Sequence, residues 1–316
     1  MQLVISGSMS VDQIMIFGGT FESLIQPEKL HVLSIAPLVD KLKRTRGGTA
    51  GNIAYSLALL GEKPVLLASV GSESQEYIDD LQKIGVDTTY VHFSKLHTAT
   101  FSVLTDKNNC QVGGFYPGAM SDATTLTLKK FENRDILMVI SAHDPQGMAT
   151  QISECKRLHK RFLFDPGQQS LILSKAVLQE GIKRAEIVIV NDYEMGLLVK
   201  RTGWSQKEIV GKLKVCIVTL GEKGSKIWVE GKLKRVPAVI LPAEEVVDPT
   251  GAGDAFRAGF LYGYVRDWEV ATCAKLGSVI ASFVVACHGT QEHSINWEQI
   301  KKRYEETYKE SLEGVV

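Results

Sequence analysis

The chain has 316 residues, 44% of them hydrophobic and 23% charged, with 36 Lys and Arg against 36 Asp and Glu. This is an ordinary globular composition, long for one domain but within reach of a single large α/β unit. Zero net charge leaves no footprint for nucleic acid or an anionic membrane, and neither a signal-peptide pattern nor an apolar run of about 18 residues is present, so a cytoplasmic protein with neither partner is expected.

Taken in chain order, Leu3-Val4-Ile5 predicts a strand. Residues 52–60 predict a helix stopped by Gly61, 65–70 a strand, and 74–84 a helix stopped by Gly85. Further strands are predicted at 137–140, 162–164, 187–190 and 215–219, with helical patterns between them. Buried strands interleaved with helices imply a mostly parallel sheet covered on both faces, with ligands bound beyond the carboxyl ends of its strands. Two stretches depart from this pattern. Residues 13–45 show no helical period. Residues 98–115 read as a hairpin around the turn Asp106-Lys107-Asn108-Asn109, with Phe101, Val103 and Thr105 on one face. No repeat or linker divides the chain, so 1–316 is read as one domain, with inserted segments at about 13–45 and 98–116.

The five cysteines, Cys110, Cys155, Cys216, Cys273 and Cys287, form no CxxC pair and are odd in number. That pattern predicts reduced thiols and neither a disulfide frame nor a zinc site. His288 and His293 are five apart, which is not a metal-ligand spacing.

The most informative stretch is Asp248-Pro249-Thr250-Gly251-Ala252-Gly253-Asp254-Ala255-Phe256, followed by residues that read as a buried helix. A small-residue turn opening a helix aims backbone N–H groups and the positive end of the helix dipole at an anion. A carboxylate beside that anion would repel a phosphate, unless it deprotonates the hydroxyl that attacks the phosphate. The other reading is a glycine turn with an Asp favourable to the dipole. Four more segments carry chemistry. Gly7-Ser8-Met9-Ser10-Val11-Asp12 follows the first strand and offers a carboxylate that can accept from two neighbouring hydroxyls; an Asp that stabilises a turn is the alternative. Arg46-Gly47-Gly48-Thr49-Ala50-Gly51-Asn52 combines close backbone approach with an amide that both donates and accepts; a helix cap at Asn52 is the alternative. Asn191-Asp192-Tyr193-Glu194 is either a capping pattern or an oxygen donor set for magnesium. Val218-Thr219-Leu220-Gly221-Glu222-Lys223-Gly224-Ser225 lacks the spacing of a Walker A loop and reads alone as a turn.

Together these segments closely resemble, in order, the signatures of the ribokinase-like (PfkB) family of sugar and nucleoside kinases, over nearly the whole chain. The resemblance implies a three-layer α/β/α sandwich with a mostly parallel central sheet and a small β-sheet lid built from the two inserted segments. It implies ATP-dependent phosphorylation of a hydroxyl, with Asp254 as catalytic base and Gly251, Ala252 and Gly253 as the anion hole. By the same resemblance Asp12, Gly47, Gly48 and Asn52 hold substrate hydroxyls. Asn191 and Glu194 arrange magnesium, its waters and phosphate, and Thr219, Gly221 and Gly224 line the nucleotide. His288 lies in a segment, His288-Gly289-Thr290, that closes over the adenine in relatives, though it also reads as a helix C-terminal residue. Asp248 and Thr250 match a potassium site found in many relatives, with Pro249 standing where many have Thr. A homodimer through the lid is the protein partner it allows.

For the acceptor, three stretches look most like the prokaryotic nucleoside-kinase branch, adenosine kinases included. They are 48–54, Phe115-Tyr116-Pro117-Gly118-Ala119-Met120, and Asp165-Pro166-Gly167-Gln168. Phe115 and Met120 would sandwich a base, or else serve as core beneath the lid. A kinase for ribose, fructose or a related sugar is the alternative enzyme. A nucleoside-binding sensor without activity is the alternative from another class.

Overall fold

The computed structural model describes residues 1–108 and 110–312. Asn109, part of the expected hairpin turn, lies outside the described residues. Fourteen strands are present among them: β1 Gln2–Ser6, β2 Ser10–Ile16, β3 Lys41–Gly47, β4 Val65–Leu67, β5 Ser69–Gly71, β6 His92–Ser94, β7 Ala99–Thr105, β8 Gln111–Tyr116, β9 Ile136–Ile140, β10 Arg161–Phe164, β11 Ile187–Asn191, β12 Val215–Thr219, β13 Ser225–Val229 and β14 Lys232–Val236. The helices are α1 Phe21–Leu24, α2 Thr49–Leu59, α3 Gln75–Lys83, α4 Pro145–Arg157, α5 Lys175–Arg184, α6 Asp192–Thr202, α7 Gln206–Val210, α8 Ala252–Tyr264, α9 Val270–Val285 and α10 Trp297–Tyr308.

Alternation along the strands builds the layers. Successive side chains of a strand point to opposite faces. Leu3, Ile5, Leu137, Val139, Leu163, Ile187, Ile189, Val215 and Ile217 therefore pack in one core with residues of α2, α3, α8, α9 and α10. Their neighbours Val4, Met138, Ile140, Phe162, Phe164, Val188, Val190, Cys216 and Val218 pack in a second core with residues of α4, α5, α6 and α7. Both faces of the sheet are thus apolar, which explains the unbroken hydrophobic runs of these strands. The sheet order is β14-β13-β12-β11-β10-β9-β1-β4. The strands from β4 to β12 run parallel, and β13 and β14 close the edge as an antiparallel hairpin. This is the expected α/β/α sandwich.

A second, four-stranded sheet has the order β3-β2-β7-β8. It draws its strands from both inserted segments, though β2 starts at Ser10 and β3 runs to Gly47, wider than the 13–45 expected. Between β2 and β3 lie the short α1 and a 3-10 segment, Pro27–Val32.

Three local expectations need correction. The run 65–70 is not one strand: β4 pairs with β1, whereas β5 pairs with β6 in a separate two-stranded sheet. Continuous burial from Val65 to Val70 masked the change of partner at Ala68. The helix expected from residue 52 starts at Thr49, because Gly48 is its cap. The helix expected from 74 starts at Gln75, after a 3-10 turn at Ser72–Ser74.

Candidate active site

The parallel strands end on a common edge, and the chemistry collects there. Asp165 directly follows β10, Asn191 closes β11 and Thr219 closes β12, the last two being register partners. The α8 N-terminus and the Gly47-Gly48 turn meet them. At that turn Gly48 has φ +92°, and a Cβ would lie 2.4 Å from the Ser8 carbonyl oxygen and 2.7 Å from the Ser10 nitrogen. Only glycine fits both the conformation and the space. The turn therefore presses against the start of β2, and a Cβ on Gly47 would lie 3.2 Å from Asp12 Oδ2.

Asp254 sits in the first turn of α8. Gly251, the cap, has φ +82°, and a Cβ there would lie 2.8 Å from Thr290 Cγ2. The Ala252 N–H donates to the Pro249 carbonyl at 3.2 Å. The other N–H groups at the start of a helix have no intrahelical acceptors. Asn52 lies inside α2, so it is no cap; its Nδ2 donates to Asp254 Oδ2 at 2.8 Å. Burial pushes the Asp254 carboxyl up to about 6, against the pull of the Arg257 guanidinium and the Asn52 amide, while Asp165 and Glu194 push it further up. Burial likewise raises the Asp12 carboxyl, partly offset by the Ser10 hydroxyl.

Arg257, one turn along α8, is 7% exposed. Its Nη2 donates to Asp165 Oδ1 at 2.6 Å and to the Ile189 carbonyl, and its Nη1 donates to the Gly253 carbonyl at 2.8 Å. Asp165 also accepts from Ser141 Oγ at 2.7 Å. The Arg257 Nε has no partner among the described residues, but a buried cation paired with a carboxylate in this way stays charged. It supplies positive potential beneath a site that gathers Asp254, Asp165 and Glu194.

Asn191 and Glu194 form a reciprocal capping box: Glu194 N–H donates to Asn191 Oδ1 and Asn191 N–H donates to Glu194 Oε2, both at 2.8 Å. Burial and the charge of Asp165 raise the Glu194 carboxyl. Among the described residues no group of three or more His, Cys, Asp or Glu is placed to hold a metal ion. The box spends one Glu194 oxygen and leaves the other, so these residues suit an ion that keeps its own waters, as magnesium does. Asp248 Oδ1 accepts from the Thr250 N–H at 2.9 Å, and Oδ2 accepts from the Gly289 N–H at 3.4 Å. Asp248 thus ties the turn before α8 to the segment carrying the exposed His288. Gly221 and Gly224 form the turn between β12 and β13, with φ +58° and +80°.

The small sheet contributes a row. Asp12 is the register partner of Phe101, and Phe101 of Phe115, so the three share one face. Phe101 and Phe115 are 38% and 52% exposed. Met120 lies in the 3-10 segment Gly118–Thr125 and is 9% exposed, so it offers the cleft far less surface than Phe115.

The structure therefore brings Asp12, Gly47, Gly48, Asn52, Asp254 and Glu194 into one site, with Asn191 and Thr219 on its rim. Sequence reasoning missed Arg257, the role of Phe101, and Tyr77 and Gln291, which are hydrogen-bonded to each other beside Asn52, and it named Asp165 and Thr290 only within motifs, without a contact to the site. One signal was present for Arg257: it is the single charge in the otherwise apolar stretch from Ala255 to Phe260.

A family model described as pfkB family carbohydrate kinase matches residues 11–297. Among solved structures, the nucleoside kinase of Burkholderia thailandensis in complex with inosine has a TM-score of 0.85 and 33% identity, covering 98% of this chain and 99% of that one. The same kinase in complex with ADP-inosine has a TM-score of 0.82 and 34% identity, covering 98% and 97%. The nucleoside kinase of Methanocaldococcus jannaschii is 29% identical over 84% of this chain and 88% of its own length.

Proposed function

The chain belongs to the pfkB family of carbohydrate kinases, phosphotransferases that act on an alcohol group, and we propose that it transfers the γ-phosphate of ATP to the 5′-hydroxyl of a purine ribonucleoside, adenosine or inosine. The observation that carries this reading is the half-buried Asp254 carboxylate at the head of α8, fixed by the Asn52 amide and ionisable near 6. Such a group is mostly ionised at neutral pH and is basic enough to take a hydroxyl proton as the oxygen attacks. The likeness to an inosine-bound kinase supports the nucleoside over the free sugar.

In this reading Asp12 accepts from the ribose hydroxyls, whose carbons approach over Gly47 and Gly48. Asn52 has committed one amide N–H to Asp254 and offers the other to the same diol. Phe101 and Phe115 stack against the base, with Met120 at its edge. The turn Gly251-Ala252-Gly253 and the Asp254 N–H face the transferring phosphoryl group and stabilise the charge that develops there. Thr219, Gly221, Gly224 and His288 line ATP. Asn191 and Glu194 would hold magnesium through water, and magnesium supplies charge neutralisation on the phosphates. Asp248 and Thr250 would hold potassium beside the anion hole. The small sheet acts as a lid that excludes water and so limits hydrolysis of ATP.

A homodimer through the outer face of that sheet completes the proposal. Leu42, Met15, Leu104 and Val112 are register partners across all four strands, on the face opposite Asp12. Leu42 and Val112 are 60% and 58% exposed.

Specificity constants for adenosine, inosine, ribose and fructose test the acceptor. Purine ribonucleosides should exceed both sugars, and Phe115→Ala should weaken nucleosides selectively, since an aromatic pair is worth roughly 0.5–1.5 kcal/mol beyond its buried area. A sugar that outperforms every nucleoside makes the chain a sugar kinase; an absence of turnover with every acceptor makes it a binding protein.

A further inference from the structure

Asn52 has two chemically different ends, and a catalytic base beside it needs the donating end. Three buried groups, the Gly47 carbonyl, Tyr77 and Gln291, decide which end it presents. Tyr77 on α3 is 3% exposed, and its hydroxyl donates to the Gly47 carbonyl at 3.1 Å. A carbonyl only accepts, so this bond fixes the direction of the phenolic proton. Tyr77 must then accept from its other neighbour, Gln291 Nε2, at 2.5 Å. That places the NH₂ end of Gln291 inward, where it also donates to Asn52 Oδ1 at 2.9 Å. Asn52 Oδ1 is therefore turned away from the base, and Nδ2 is left to donate to Asp254 Oδ2 at 2.8 Å. Thr290 Oγ1 lies 2.8 Å from Asn52 Oδ1 and 3.0 Å from the Arg46 carbonyl, so its single proton has two acceptors and does not set the direction. Burial holds the Tyr77 phenol well above its ordinary value, so it keeps the proton it donates.

We propose that Tyr77 and Gln291 are positioning residues for Asp254, forming with Asn52 a hydrogen-bond chain of fixed polarity: Gln291 Nε2 donates both to Tyr77, which donates on to the Gly47 carbonyl, and to Asn52, which donates on to the base carboxylate. This rests on the reading of Asp254 as general base. The chain has a consequence for substrate coupling. Gly47 belongs to the turn that meets the acceptor, and Thr290 packs on Gly251, so both flanks of the site bear on one amide. Without the chain Asn52 can turn over, and its oxygen would then face the carboxylate and repel it.

Tyr77→Phe and Gln291→Met each remove one link while leaving the apolar bulk. Each should lower kcat on the order of fivefold, the kinetic equivalent of one ordinary hydrogen bond. The KM for ATP should not change. Gln291→Glu, nearly isosteric, should be more damaging than Gln291→Met, because an acceptor facing Asn52 inverts the amide; a packing role predicts the opposite order. The decisive comparison repeats Tyr77→Phe and Gln291→Met in an Asn52→Ala background, with thermal shifts as a control of folding. There the two changes should have less than about a twofold effect on kcat, since residues acting through one partner are not additive. Equal effects with and without Asn52, or single variants within about twofold of wild type, overturn the chain. Asp254→Asn in the same assay separates the two claims: if it retains turnover the general-base reading fails, and if it alone loses turnover only the chain fails.

Discussion

Asp254 and Arg257 lie one helical turn apart, and each sets the other's charge. Burial alone would hold Asp254 protonated at higher pH, and the guanidinium beside it brings the carboxyl back to about 6. The other charged or titratable groups near it are Asp165 beyond β10, Glu194 on α6 and Tyr77 on α3. In the proposed role of general base Asp254 must be ionised, so kcat/KM should fall as pH drops through about 6. Arg257→Met should move that acid limb upward by about 1–3 units, whereas Arg257→Lys should leave it nearer its place. A pH–rate profile of the three proteins checks this; an unmoved limb in Arg257→Met would reduce Arg257 to a structural ion pair. Asp254 was singled out in sequence by its place after Gly-Ala-Gly and by the family likeness, beside the reading of an Asp favourable to the helix dipole. The role of Arg257 was not, because its partner Asp165 is 92 positions away in the chain.

At the scale of elements, helix and strand types were legible from period, and their partners were not. The runs at 137–140 and 215–219 became β9 and β12 almost unchanged, because burial on both faces leaves an unmistakable apolar stretch. The same continuity hid the break at Ala68. The Asn191–Glu194 pattern is a true cap of α6, and its capping function says nothing against a second role in the cleft. The far end of the sheet is locked by a knot around Glu186. It accepts two bonds from Arg161 on β10 at 2.5 and 2.7 Å, one from Lys214 before β12 at 3.2 Å, and one from Tyr264 at the end of α8 at 2.5 Å. Burial pushes this carboxyl up, but these partners outweigh it and hold it at about 2. Its stabilisation is therefore present above the ordinary Glu range and lost as pH falls through about 2. Glu186→Gln should cost about 1.5–3 kcal/mol at pH 7 by urea unfolding, as for hydrogen bonds to a charged group. The deficit should shrink steadily from about pH 4.5 downward. A deficit that is the same at pH 7 and pH 3 would assign it to packing.

At the scale of the molecule, the sandwich and the second sheet were foreseen from strand and helix alternation and from the family likeness. The true extent of the small sheet was not, because Ser10 and Asp12 are polar at the start of β2 and β3 has only Leu42 as an apolar side chain to count. Its outer row of Leu42, Met15, Leu104 and Val112 predicts self-association. Light scattering should show a dimer that Leu42→Lys with Val112→Lys dissociates, and a wild-type monomer at micromolar concentration would remove the dimer from the proposal. The central claim joins a fold, a base and an acceptor. It is tested most directly by following 5′-monophosphate formation from adenosine and inosine with ATP, in wild type and Asp254→Asn side by side. The account predicts nucleoside 5′-monophosphate from the wild type and a loss of about 10²–10⁴ in rate for the variant, the usual cost of removing a general base. A wild type that makes no nucleoside monophosphate while phosphorylating ribose or fructose, or an Asp254→Asn rate within about threefold of wild type, would contradict it.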